Sequence, residues 1–265
     1  MTQTERYPST FEGLLQLLQR LRGPDGCPWD REQTRQSLRR QFVEEFYELL
    51  EAIDGDDATH ISEELGDVML HMGFQLRLGE EAGEFTPSEV FAKLIEKLVR
   101  RHPHVFGDAA AGDARDVEAN WEEIKRKERE GKPGNEASLL EGVPRGMPSL
   151  AYAQTVQVRA ARTGFDWDDY SGVVAKVAEE VEELEEVESV PERERELGDL
   201  LFSMVNAARW LGVDAEAALR QSNARFFTRF ARMESLSRER DLSFLDMPLE
   251  DKESLWQEAK RLEDA

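Results

Sequence analysis

Four phrases of this 265-residue sequence occur twice, in the same order and 132 to 138 residues apart, and this repetition limits the fold more than any other feature. Gly26-Cys27-Pro28-Trp29-Asp30 matches Gly164-Phe165-Asp166-Trp167-Asp168. Glu44-Glu45 with Glu48 matches Glu179-Glu180 with Glu183, and Glu64-Leu65-Gly66-Asp67 matches Glu196-Leu197-Gly198-Asp199. The stretch from Trp121 to Arg126 matches that from Trp256 to Arg261. Two amphipathic helices resemble each other easily by chance, but they do not then also share GxxWD and WxExKR. The chain reads as two copies of one domain.

Each copy has helical periodicity. Apolar residues recur at helical spacing over 11–21, 41–53, 60–78 and 88–101, and again over 173–188, 194–211, 214–236 and 249–263. Gly23-Pro24, Gly55-Asp56-Asp57 and Thr86-Pro87-Ser88 punctuate the first set. No alternating strand pattern competes, so the expected fold is all-α, two tandem four-helix domains. Residues 131–149 carry four glycines and three prolines and cannot continue a helix. This linker separates an N-terminal domain, 1–130, from a C-terminal domain, 150–265.

The charge narrows the function. A net charge of -22, from 34 Lys and Arg against 56 Asp and Glu, opposes general nucleic-acid binding, which depends on neutralising phosphates. An anionic protein acting on a phosphate compound needs a divalent cation between the two. No apolar stretch approaches the ~20 residues that span a bilayer, and the N-terminus lacks the pattern of a signal peptide. A single cysteine, Cys27, cannot form an internal disulfide. Cytoplasmic location and no membrane partner are the expectations.

The repeated acidic phrases supply candidate ligands for such a cation. At about 100° per residue, Phe42, Phe46, Leu49 and Ile53 fall within about 60° of arc, with Glu45 and Glu48 on one flank. In the next helix Ile61, Leu65, Val68 and Met72 form the stripe, and Glu64 and Asp67 take the equivalent flank. Folding the two helices antiparallel at Gly55 brings four carboxylates together at the margin of the core. They repel unless a cation lies among them. Oxygen-only ligands favour Mg²⁺ or Mn²⁺ over Zn²⁺. No histidine follows a glutamate by three residues, as di-iron bundles require. Gly66 and Gly198 leave the helix backbone open to close approach, although each costs about 1 kcal/mol relative to alanine. A solitary ExxE or ExxD is usually a solvated face. Two pairs on adjacent helices, repeated in the second half, argue for a metal site.

With EExxE, ExxD, GCPWDxEQT, KLxRRHPHVFGD and WExIKxxE in place, the sequence resembles the MazG family over nearly its whole length. The resemblance implies an all-α unit that dimerises, with Mg²⁺-dependent cleavage of an NTP or dNTP between the α and β phosphates. It implies a metal cage of Glu180, Glu183, Glu196 and Asp199 in the second half and one of Glu45, Glu48, Glu64 and Asp67 in the first. The resemblance leaves the general base as one of these glutamates, or the adjacent Glu44 or Glu179. Lys176, Asn206, Arg225, Arg229 and Trp256 are implied substrate contacts.

The first half has Lys97, Arg100 and Arg101 in KLVRR but Gln41 and Phe74 at the positions of Lys176 and Asn206, so the second half is the expected main site. In its own motif the second half has Arg225 and Thr228 where the first has Lys97 and Arg100. The first half remains a weaker site, a regulatory nucleotide site or a dimerisation platform. His102 and His104 read as part of a Pro-bent structural loop, and Cys27 as packing. His71, one turn after Asp67, can touch the first-half site, although its counterpart is Ser203. The rival reading is a helical scaffold or nucleotide sensor with a vestigial metal site; pyrophosphate release separates the two.

Overall fold

The computed structural model describes residues 7–108, 112–113, 117, 121, 124, 128 and 138–263. Among them no strand occurs, and the chain divides into two compact units, Met1–Asn135 and Glu136–Ala265. The boundary expected at 130/131 and the first part of the expected linker, 131–137, lie outside the described residues.

Unit 1 contains α1 (Phe11–Arg22), α2 (Pro28–Glu32), α3 (Arg39–Asp54), α4 (Ala58–Glu81), α5 (Pro87–Arg101) and α6 (Pro103–Phe106). Side-chain capping fixes where α1, α4 and α5 start. Thr10 accepts the Gly13 amide at α1, and Asp57 accepts the Thr59 and His60 amides at α4. Thr86 and Glu89 form a reciprocal capping box at α5, with Pro87 in the first turn. α4 is the axis of the unit, because α1, α3 and α5 all pack on it. Leu18, Leu38 and Phe74 form the buried core, surrounded by Leu14, Leu21, Leu70 and Leu78. A turn through Asp56, at φ 53°, reverses α3 into α4.

Unit 2 contains α7 (Ser149–Ala161), α8 (Tyr170–Glu186), α9 (Val190–Trp210), α10 (Ala215–Glu239) and α11 (Leu249–Glu263). α8 pairs with α9, α10 pairs with α11, and α7 packs on both α9 and α10. Met233, Leu236, Met247, Leu255 and Ala259 form a core against which Phe244 and Trp256 pack.

Several features differ from expectation, among them the short helix α2, which no expected stretch covers. α7 has no strong apolar stripe in SLAYAQTVQVRAA, so periodicity misses it; good helix formers carry it instead. RHPHVF is not a loop, since Pro103 opens the short helix α6 and His102 Nδ1 lies 2.6 Å from the Leu98 carbonyl oxygen. The expected apolar stripes are not buried as units. Leu49 and Val68 are buried, but Phe46, Ile53, Leu65 and Met72 are 40–50 % exposed. α3 and α4 meet on the side that includes Glu64, which leaves much of each stripe facing outward.

The matched GxxWD phrases also fold differently. In unit 1 Pro28, Trp29 and Asp30 belong to α2; in unit 2 Asp166, Trp167 and Asp168 precede α8. Asp166 accepts from Arg209 Nη1 at 2.9 Å and from Trp210 Nε1 at 3.1 Å. The shared glycine answers two needs. Gly164 adopts φ 85°, which L-residues avoid, whereas a Cβ on Gly26 would meet the Leu21 carbonyl oxygen at 2.0 Å. Gly66 and Gly198, by contrast, have nothing within 4 Å of a built Cβ. Gly26→Ala is therefore expected to lower unfolding free energy by about 1–3 kcal/mol, while Gly66→Ala raises it by up to about 1 kcal/mol through helix propensity. Denaturant titration of both variants checks the pair, and equal effects would contradict it.

Candidate active site

The α3–α4 and α8–α9 hairpins each gather acidic side chains between their helices. In unit 1 one oxygen from each of Glu45, Glu48 and Glu64 lies within 4.8 Å of the others; in unit 2 Glu180, Glu183 and Glu196 do the same. Asp67 and Asp199, expected as fourth members, stand outside these triads. Asp67 is on the same side of α4 and acts electrostatically on Glu45 and His71. Asp199 lies 4.0 Å from Arg195 Nη1.

One carboxylate of the first triad and two of the second are enclosed, while Glu48 and Glu183 remain exposed. Glu64, Glu180 and Glu196 are 7 %, 4 % and 3 % exposed, and each keeps one buried oxygen with no hydrogen-bond partner. Such an arrangement is costly for a carboxylate and suits a cation ligand. Desolvation, followed by the charges of Glu48 and Asp67, pushes the Glu45 carboxyl above the usual range.

The two triads have different basic neighbours. In unit 2 Lys176 Nζ lies 2.8 Å from Glu179 Oε1 and 2.7 Å from Glu180 Oε1, and Arg195 hydrogen-bonds Glu196. Hydrogen bonds to Glu179 and Glu180 hold the Lys176 ammonium well above its ordinary pKa. In unit 1 the neighbours are histidines. His60 Nε2 is 3.1 Å from Glu64 Oε1, and His71 Nε2 is 3.9 Å from Glu45 Oε1.

The remaining expected contacts fall into separate groups. Asn206 accepts from Arg209 Nε at 2.9 Å. Arg229 donates to Glu263 at 2.5 Å and places its guanidinium carbon 5.6 Å from the Trp256 ring centre. Arg225 is exposed. No hydrogen bond or ion pair among the described residues joins these groups to the triad.

Sequence reasoning missed Arg195, and it missed a second duplicated group. Arg101 donates to Glu128 at 2.6 Å and lies 5.6 Å from the Trp121 ring centre, as Arg229 does with Glu263 and Trp256. The hydrogen bond from Arg101, opposed by burial and aided by Arg100, holds the Glu128 carboxyl down at about 2. A glutamate seven residues after each repeated tryptophan was the available signal.

A family model described as the MazG nucleotide pyrophosphohydrolase domain matches residues 33–106, which include the unit 1 triad. The chain is 42% identical over 250 residues to a Thermotoga maritima protein, covering 94% of this chain and 95% of that one. That relative is named nucleoside triphosphate pyrophosphohydrolase/pyrophosphatase MazG. The chain belongs to the MazG family. It is also 42% identical over 259 residues to the nucleoside triphosphate pyrophosphohydrolase of Escherichia coli strain K12, covering 96% of this chain and 98% of that one. With the uncharacterized protein YabN of Bacillus subtilis it shares 46% identity over 259 residues, 96% of this chain but 52% of YabN. Membership in the MazG family accords with the all-α architecture and with acidic clusters that can hold a metal. No helix of the described residues is long and apolar enough to cross a membrane.

Proposed function

We propose that this MazG-family chain hydrolyses nucleoside and deoxynucleoside triphosphates between the α and β phosphates, releasing a nucleoside monophosphate and pyrophosphate. Mg²⁺, replaceable by Mn²⁺, is held by the carboxylate cages, with Asp67 and Asp199 completing their sets. The observation that carries this reading is the pair of glutamate triads in which the buried members, Glu64, Glu180 and Glu196, each keep an oxygen with no partner among the described residues. All-oxygen donors fit a hard cation. Bound there, such an ion supplies Lewis-acid polarisation of a phosphoryl oxygen.

Unit 2 is proposed as the main site, since Lys176 and Arg195 place cations directly at its triad. Their donors can turn to phosphate oxygens once the carboxylates are engaged elsewhere. Arg225, Arg229, Asn206 and Trp256 are proposed to position the rest of the nucleotide. The match of the family model to residues 33–106 favours a second reading, in which unit 1 also turns over substrate. A second copy of the chain is the proposed partner. α5 has no buried residue, and its Phe91, Leu94, Ile95 and Leu98 are each more than a third exposed.

Pyrophosphate release from a panel of NTPs and dNTPs tests the activity. With Mg²⁺ it is expected to be robust, and chelation is expected to abolish it. Glu64→Gln is expected to retain more than half of the turnover. No pyrophosphate from any nucleotide would leave the scaffold or sensor reading, and an equal loss from Glu64→Gln and Glu196→Gln would overturn the ranking of the units.

A further inference from the structure

Arg209 ties the phrase before α8 to one of the proposed nucleotide contacts of unit 2. Both terminal nitrogens of its guanidinium donate to Asp166, Nη1 to Oδ2 at 2.9 Å, and its Nε donates to Asn206 Oδ1 at 2.9 Å. Asp166 also accepts from Trp210 Nε1 at 3.1 Å and from the Trp167 amide at 2.9 Å. The Arg209 side chain is 14 % exposed, and its two-pronged bond to a carboxylate fixes the guanidinium plane. A guanidinium has no acceptor. Only the amide oxygen of Asn206 can therefore face Nε, and Nδ2 is turned away from Arg209. No described residue accepts from that Nδ2.

We propose that Asp166 and Arg209 are positioning residues that fix the Asn206 amide as a hydrogen-bond donor to an acceptor on the nucleoside part of the substrate. The inference rests on the reading of Asn206 as a nucleotide contact, and adds what orients it and which part of the substrate it meets. Glu196, Asp199, Ser203 and Asn206 follow one another at spacings of three and four along one side of α9. Asn206 stands two turns beyond Asp199, about 10 Å along the helix axis. With phosphates held at the cage, a donor that far along the helix meets the sugar or the base.

Unit 1 separates this role from a purely structural one. In the register that relates Glu64 to Glu196, Arg77 stands at the position of Arg209 and Phe74 at that of Asn206; Pro28 stands at that of Asp166. Arg77 turns instead to Glu80 and Glu81, at 2.5 Å and 3.5 Å, and Phe74 is buried in the core. The helical hairpin thus forms where the arginine is kept and both of its partners are gone. The linked trio belongs to the unit whose amide has a substrate to meet.

The test is a double-mutant cycle on the full chain carrying Glu64→Gln, so that unit 2 holds the remaining cage. Asp166→Asn and Arg209→Lys should each raise KM for nucleoside triphosphates about 10-fold, the scale of one hydrogen bond, with kcat changed less than about twofold. Calorimetric binding of an α,β-methylene triphosphate analogue with Mg²⁺ should weaken equally. Asn206→Ala should raise KM as far by itself, and adding either other substitution to it should cost less than about twofold more. Inhibition by inorganic tripolyphosphate, which has no nucleoside, should be unchanged throughout. A loss that varies with the base across NTPs and dNTPs assigns the acceptor to the base, and a uniform loss assigns it to the sugar. Losses that multiply in the Asn206→Ala background, or weaker inhibition by tripolyphosphate, would show that Asp166 and Arg209 hold unit 2 together and would overturn the proposal. An unchanged KM in both single variants also overturns it. A parent protein without turnover refutes hydrolysis alone, because the analogue still reads the cycle; failure of the analogue to bind removes the nucleotide reading of Asn206 and the proposal with it.

Discussion

Glu196→Gln should cut Mg²⁺-dependent pyrophosphate release at least about 100-fold and leave the helical fold intact. Glu180→Gln should do the same. Both side chains are enclosed between α8 and α9, and both keep a buried oxygen with no hydrogen-bond partner among the described residues. A neutral amide of the same shape removes the negative charge that attracts the ion, yet it fills the same space. It also relieves repulsion within the triad. Without metal, the variants should therefore melt no lower than the parent protein. The distinguishing measurement is the thermal shift caused by Mg²⁺. Binding at 100 times Kd stabilises the parent by about 2.7 kcal/mol, and this increment should largely disappear in either variant. Activity above a tenth of the parent level, or a metal-free protein that unfolds on substitution, would show that these glutamates hold the fold rather than the ion.

Ile95→Asp should turn the proposed dimer into a monomer. Ile95 is 59 % exposed on α5, a helix with no buried residue. Burying such a side chain contributes about 1.5–3 kcal/mol, and a two-fold interface counts it twice. An aspartate adds the cost of desolvating a charge. Dimer affinity should fall about a thousandfold or more, visible as halved mass in light scattering at micromolar concentration. Unchanged helicity would show that the monomer survives. A parent protein that is already monomeric at tens of micromolar would refute the second copy as occupant of this surface.

The outward-facing stripes explain why the sequence was legible in one respect and misleading in another. Helical spacing located α3, α4, α8 and α9, because local periodicity reflects local hydrogen bonding and the burial of one side. It could not tell which partner buries that side. Phe46 and Met72 look like core residues on a helical wheel, yet they are half-exposed, while the charged Glu64 is buried. α7 was missed for the converse reason, since its helix formers carry no clear stripe. Arg195 escaped notice because an arginine beside a glutamate is ordinary in so charged a chain.

The sequence by itself determined the duplication, the helical class, the repeated acidic phrases and the MazG kinship, all of which depend on residue type and spacing. Tertiary structure decided how those phrases are used. It drew three carboxylates of each set together and left Asp67 and Asp199 outside those groups. It put Lys176 and Arg195 at one triad and His60 and His71 at the other. Those differences arise from which side of each helix faces its neighbour, and a one-dimensional pattern does not fix that orientation when charged and apolar sides compete for the same contact.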